Sequence, residues 1–277
     1  MITQVLLALA QAASPPAAPR ELEINTALMQ STFHLQGPSK NSGQIAVGSG
    51  VVVGRPCPNV PDRAAYTLVT ASHVLDEIAG DDLLILVRLK SPDGTWRKVR
   101  HFIKIRSADG KPLWLKHPDA DVAVMYVNLP EGSVPEFLPA ALFATDPILE
   151  QFEIHAGDEV FALGFPLGVE ANQYGFPVLR SGRIASFPLL PQKAVKTFLV
   201  DMEVFPGNSG GPVYLWDRNR SYGGGVHVGE VRFLMGIVRG TVFARDPPGT
   251  RLVIADVVHA NFVLEAISML PEPSCSK

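Results

Sequence analysis

The stretch Asp201-Met-Glu-Val-Phe-Pro-Gly-Asn-Ser-Gly-Gly-Pro-Val-Tyr214 governs how the rest of the chain is read, because it presents one serine between glycines. Ser209 is the candidate nucleophile. A serine hydroxyl is a weak nucleophile by itself, so the chemistry needs a base for its proton and N–H donors for an oxyanion. The backbone N–H groups of Gly207 and Ser209 are the expected donors. Glycines at 207, 210 and 211 permit backbone angles closed to other residues and let a substrate carbonyl come close to the main chain. The plain alternative is a glycine-rich turn between strands, so the surrounding sequence has to decide.

Composition narrows the classes. With 277 residues, 47% of them hydrophobic and 18% charged, the chain has material for an ample core. A formal charge of −3 and no long basic run argue against nucleic-acid or anionic-lipid partners. No run reaches the length needed to span a membrane as a helix. Short Val/Ile/Leu runs among 24 glycines and 24 prolines predict many short strands joined by tight turns.

At the N-terminus, the apolar run Val5–Ala10, then Ala10-Gln11-Ala12 and Ser-Pro-Pro, resembles a signal peptide with a Pro-rich linker over residues 1–22. That predicts a periplasmic or secreted protein. The absence of Lys or Arg ahead of the run departs from the secretory pattern and points to the alternative, the cytoplasm. Cys57 and Cys275 are expected as two unpaired thiols. Neither they nor the seven histidines have metal-ligand spacing, so no metal or other cofactor is expected.

Residues 21–30 form a short lead-in and 31–36 a first strand. Gly48-Ser49-Gly50-Val51-Val52-Val53-Gly54 reads as a buried strand. Tyr66–Thr70 is another, and it ends in small residues where His73 stands. The partner for that histidine is Asp121, which leads into the apolar strand Val122–Val127. A carboxylate at the edge of a core needs a hydrogen-bonding partner, and orienting an imidazole supplies one. Asp119 competes for the role and is less well placed. Asp93-Gly94 and Asp109-Gly110 are two-residue turn signals, so the first half, residues 23–135, reads as all-β. Pro-rich residues 136–156 form the connection. Residues 157–277 continue in the same style, with strands before and after Ser209, a polar surface loop over Asp217–Glu230, a last strand at Leu252–Ala255 and a closing helix over Val257–Leu270.

Thr70-Ala71-Ser72-His73, Asp121-Val122-Ala123-Val124 and Gly207-Asn208-Ser209-Gly210-Gly211-Pro212 resemble the three motifs of trypsin-like serine peptidases, in that family's order of His, Asp, Ser. The likeness extends over roughly residues 30 to 268 and is nearest to the bacterial HtrA-like branch. It implies two six-stranded antiparallel β-barrels with the active site between them. It also implies a catalytic triad of His73, Asp121 and Ser209, an oxyanion hole from the N–H groups of Gly207 and Ser209, and a protein or peptide substrate. The primary pocket would be walled by Glu203, Phe205, Arg239, Gly240 and Thr241. Glu203 stands where trypsin-like specificity for Lys or Arg places an acid. HtrA-like pockets are apolar and Arg239 is positioned to neutralise Glu203, so small or aliphatic residues are expected at the cleaved position.

Three departures qualify the likeness. Asn208 replaces the aspartate used in zymogen activation, Val74 stands where digestive members carry a cysteine, and, with residues 210–277 after the serine, no PDZ domain is expected. Two rivals remain. Gly207-Asn208-Ser209-Gly210-Gly211 also matches the nucleophile elbow of α/β-hydrolases, which requires a helix after the serine and a downstream acid and base such as Asp256 and His259. The same double barrel can also persist as a catalytically silent binding scaffold.

Overall fold

The computed structural model describes residues 23–273 except 42, 59, 61, 62, 134, 136 and 137. The signal peptide and linker expected over residues 1–22 lie outside the described residues. Glu23, the first described residue, accepts from the N–H groups of Asn25 and Thr26, which starts helix α1, Ile24–Ser31.

The first sheet is built from β1 Thr32–Pro38, β2 Ile45–Pro56, β3 Ala64–Thr70, β4 Asp82–Lys90, β5 Trp96–Lys104, β6 Leu115–Lys116 and β7 Ala123–Tyr126. A short helix, α2 Ser72–Glu77, follows β3. The spatial order is β5-β4-β1-β2-β3-β7-β6, so this half has seven strands where six were expected. Asp93-Gly94 closes the β4–β5 hairpin, with Gly94 at φ 85°.

The second sheet comprises β8 Glu159–Gly164, β9 Val178–Ile184, β10 Thr197–Asp201, β11 Pro212–Tyr222, β12 Gly225–Phe243 and β13 Arg251–His259, closed in the order β10-β13-β12-β11-β8-β9. Helix α3, Asp146–Gln151, precedes it and α4, Ala260–Met269, follows it.

Two segments differ from expectation. Asp217–Glu230 is the outer part of a β11–β12 hairpin, turning at the left-handed pair Gly223-Gly224. Val226 and Val228 on it are 73% and 89% exposed, so no buried face marked it in the sequence as strand. Val257–His259 extends β13 and pairs with β10 and β12, so the closing helix begins at Ala260. Cys57 is also not a free thiol. It is disulfide-bonded, and the sequence's other cysteine, Cys275, lies outside the described residues.

Three apolar cores hold the fold. One fills the first sheet around Leu35, Leu68, Leu75 and Ile85, and one fills the barrel around Val160, Phe198, Val213 and Val257. The third joins the halves, packing Val51, Val69 and Val124 of the first sheet against Leu163, Tyr214, Ile237 and Val258 of the second, with α1 and α4 closing it. Truncating one such residue to Ala costs about 2–5 kcal/mol. The groups described next stand above this shared core, contributed by both halves.

Candidate active site

His73 is the second residue of α2, immediately beyond the end of β3. A helix start leaves backbone N–H groups without intrahelical partners. Here Asp121 takes one of them. Its Oδ1 accepts from the His73 N–H at 3.1 Å and from the Ser72 hydroxyl at 2.6 Å, while its Oδ2 lies 2.6 Å from His73 Nδ1. Burial alone would raise the Asp121 carboxyl, but the hydrogen bonds from His73 and Ser72 outweigh it and hold the group well below the ordinary carboxylate range. An ionised Asp121 accepts the Nδ1–H and leaves Nε2 as the basic nitrogen. The imidazole is half exposed, and Nε2 has no hydrogen-bond partner among the described residues.

The competitor, Asp119, is separated from this pair. It is 65% exposed and takes Lys196 as its partner at 3.3 Å. A cavity of about 530 Å³ beside the pair is lined by His73, Asp121, Lys116, Lys196 and Arg239 among others.

Ser209 is carried on a tight turn in which the Asn208 N–H donates to the Phe205 carbonyl at 2.9 Å and the Asn208 side chain accepts from the Phe205 N–H at 2.9 Å. Gly207 has φ 98°, and a Cβ there would sit 2.2 Å from the Phe165 carbonyl oxygen. Gly210 has φ 84°, and a Cβ there would meet Ser49 O and Thr70 Oγ1 at 2.2 Å each. Both positions therefore require glycine. The N–H groups of Gly207 and Ser209 donate to no group among the described residues, so both remain available to a ligand oxygen. The Ser209 hydroxyl donates to the Arg239 carbonyl at 3.0 Å. It is not bonded to His73 in this structure.

Two serines that sequence reading did not single out as functional support the arrangement. Ser72 fixes the outer side of Asp121. Ser49, fully buried on β2, donates to the Gly207 carbonyl at 2.7 Å and accepts from the Phe165 N–H at 3.1 Å, while its own N–H donates to the Ser209 carbonyl at 2.8 Å. The turn of the second half thus hangs from the first. The only sequence signal was a small polar residue between glycines in an apolar strand.

The expected pocket residues divide. Arg239 does not neutralise Glu203, because its guanidinium pairs with Asp256 at 2.9 Å. Glu203 is half-buried, with no ion pair or hydrogen bond among the described residues. Thr241 Oγ1 donates to backbone carbonyls of Leu252 and Ile254, and Gly240 borders open space. Phe205 lies beneath Arg251 and Arg180, whose guanidinium carbons are 4.0 and 5.3 Å from its ring centroid. The α/β-hydrolase rival is excluded by topology. Strand β11 follows the serine where a helix is required, Asp256 is committed to Arg239, and His259 is buried at the start of α4.

The sequence and the structure were compared with known proteins. No curated protein matches the sequence. Among solved structures, the active form of the Rv3671c protease from M. tuberculosis aligns over 99% of this chain and 97% of its own, at 18% identity and a TM-score of 0.48. The profile of the family described as Trypsin-like peptidase domain matches residues 48–223, which include His73, Asp121 and Ser209. With well over half of its length matched by that profile, the chain belongs to the trypsin-like peptidase family.

Proposed function

We propose that this serine peptidase hydrolyses peptide bonds through a triad of His73, Asp121 and Ser209 and a covalent acyl-enzyme. The observation that carries the proposal is the 2.6 Å contact between His73 Nδ1 and a doubly anchored Asp121, which leaves Nε2 as an unengaged base. In the proposed sequence, Ser209 Oγ turns from the Arg239 carbonyl toward Nε2, gives up its proton and attacks the substrate carbonyl. The developing oxyanion is held by the N–H groups of Gly207 and Ser209. The imidazolium then protonates the leaving amine, and water repeats the steps to release the acyl group. Asp121 keeps the imidazole in the productive tautomer throughout.

A serine-directed phosphonate tests the proposal. Wild-type protein should take the label and hydrolyse a fluorogenic peptide library. Ser209→Ala should do neither, and His73→Ala should lose several orders of magnitude in kcat/KM, with the double variant little worse than either single one. If folded wild-type protein neither takes the label nor cleaves any peptide, the triad proposal fails and the binding-scaffold reading replaces it.

We also place the protein outside the cytoplasm. The disulfide at Cys57 supports this, since such bonds persist in oxidising compartments. N-terminal sequencing of native material should begin near residue 13; an intact Met1 in a cytosolic fraction removes the idea.

A further inference from the structure

Beside the nucleophile turn stand two cations with nothing to bind. Arg180 on β9 and Arg251 at the start of β13 converge on Phe205, the residue that opens the turn carrying Ser209. Neither guanidinium makes an ion pair or hydrogen bond among the described residues. Nε of Arg180, and Nε and Nη2 of Arg251, are closed off from solvent without an acceptor. The other basic residues near the site are already engaged: Lys116 with Asp76, Lys196 with Asp119 and Arg239 with Asp256. With both guanidinium carbons within 5.3 Å of the one Phe205 centroid, the two like charges repel, and contact with the ring answers only part of their lost hydration.

A pair of guanidinium groups in this state is complementary to one planar carboxylate, which would satisfy donors from both and cancel their repulsion. Glu203, two residues from Phe205, does not fill that role, having no ion pair among the described residues. Extending the proposed peptidase function, on which this rests, we propose that Arg180 and Arg251 form a carboxylate-binding subsite, so that the substrate carries Glu or Asp at the residue whose carbonyl Ser209 attacks. This replaces the small or aliphatic preference expected from the HtrA-like resemblance. The acid is recognised by charge-assisted hydrogen bonds, while Phe205 holds the two guanidinium planes in place.

The probes are N-succinyl-Ala-Ala-Pro-X p-nitroanilides with X as Glu, Gln, Leu or Lys. Wild-type kcat/KM should favour Glu over Gln by about tenfold or more, a margin typical of a charge-assisted contact, with Leu and Lys below Glu. Binding of the same four compounds to full-length Ser209→Ala protein, measured by calorimetry, should show the same order. That arm separates the two proposals: a Glu preference in binding without any wild-type cleavage keeps the subsite and removes the peptidase mechanism. In Arg251→Gln and Arg180→Gln proteins the Glu:Gln ratio should move toward one. A wild-type ratio near one, a preference for Lys or Leu, or a ratio unchanged in both arginine variants overturns the subsite. The wild-type Glu:Gln comparison stands even where an arginine variant fails to fold.

Discussion

Ser49 shows how much one small side chain can decide. It satisfies the Gly207 carbonyl in the turn that carries Ser209 and the Phe165 N–H just beyond β8, which would otherwise lose these partners. Ser49→Ala should therefore cost about 1–3 kcal/mol in stability. Because the Gly207 carbonyl loses its tether, kcat should fall more than KM rises, and urea denaturation beside steady-state kinetics checks both. His259 makes a second prediction at this scale. Its ring is buried against Phe198 with neither nitrogen partnered among the described residues, and burial pushes its pKa from the ordinary 6.5 down to about 4. The folded state thus resists protonation more than the unfolded chain does. The stability held by the neutral ring is complete above pH 6.5 and drains away as pH falls toward 4, by about 3 kcal/mol. Urea midpoints measured across that window should decline in wild type and flatten in His259→Phe.

Among the elements, the β11–β12 hairpin is the one the sequence concealed. Between Asp217 and Glu230 only Tyr222 packs against a core and the apolar Val226 and Val228 stand exposed, so the stretch has no continuous buried apolar face to mark it as a half-buried strand. Its root is firmly held. Arg220, 6% exposed, donates to the Phe152 and Glu153 carbonyls and pairs with Asp158 at 2.5 Å. Arg220→Ala leaves Asp158 with His155 alone and the Phe152 and Glu153 carbonyls without their donor, and should destabilise the barrel by about 3–5 kcal/mol, read as a lowered thermal midpoint. The elements that carry the proposed triad were far more legible. His73, Asp121 and Ser209 each sit where a short apolar run meets small residues, a junction that can be read directly from the sequence. What escaped was long-range pairing: Ser49 with Gly207, Ser72 with Asp121, and Arg180 and Arg251 with Phe205. No local pattern encodes a partner that only the closed topology brings near.

For the molecule as a whole, the all-β architecture followed from short apolar runs and turn residues. The strand count of the first half did not, because β6 is only two residues long. The C-terminal segment adds a connection between the halves. Arg55 on β2 donates to the Leu270 and Pro271 carbonyls at 2.8 and 2.9 Å, just beyond α4, and Tyr126 on β7 donates to the same Pro271 carbonyl at 2.6 Å. Cys57, two residues from Arg55, is disulfide-bonded. Reductant should therefore lower the thermal midpoint, with a stability loss of about 2–4 kcal/mol. An unchanged midpoint after complete reduction, verified by thiol titration, would show that the bond is not a brace.

The suspension of the Ser209 turn from Ser49 has a mechanical consequence. The imidazole rides on one half of the molecule and the hydroxyl on the other, and the latter is hooked to the former through one buried residue, Ser49, whose hydroxyl holds the Gly207 carbonyl and whose N–H holds the Ser209 carbonyl. A slip between the sheets would therefore change the separation of the His73 imidazole and the Ser209 hydroxyl. In this sense the site behaves as a shear gauge for the whole molecule: agents that loosen the seam between the halves, far from His73, should extinguish turnover before they unfold either sheet.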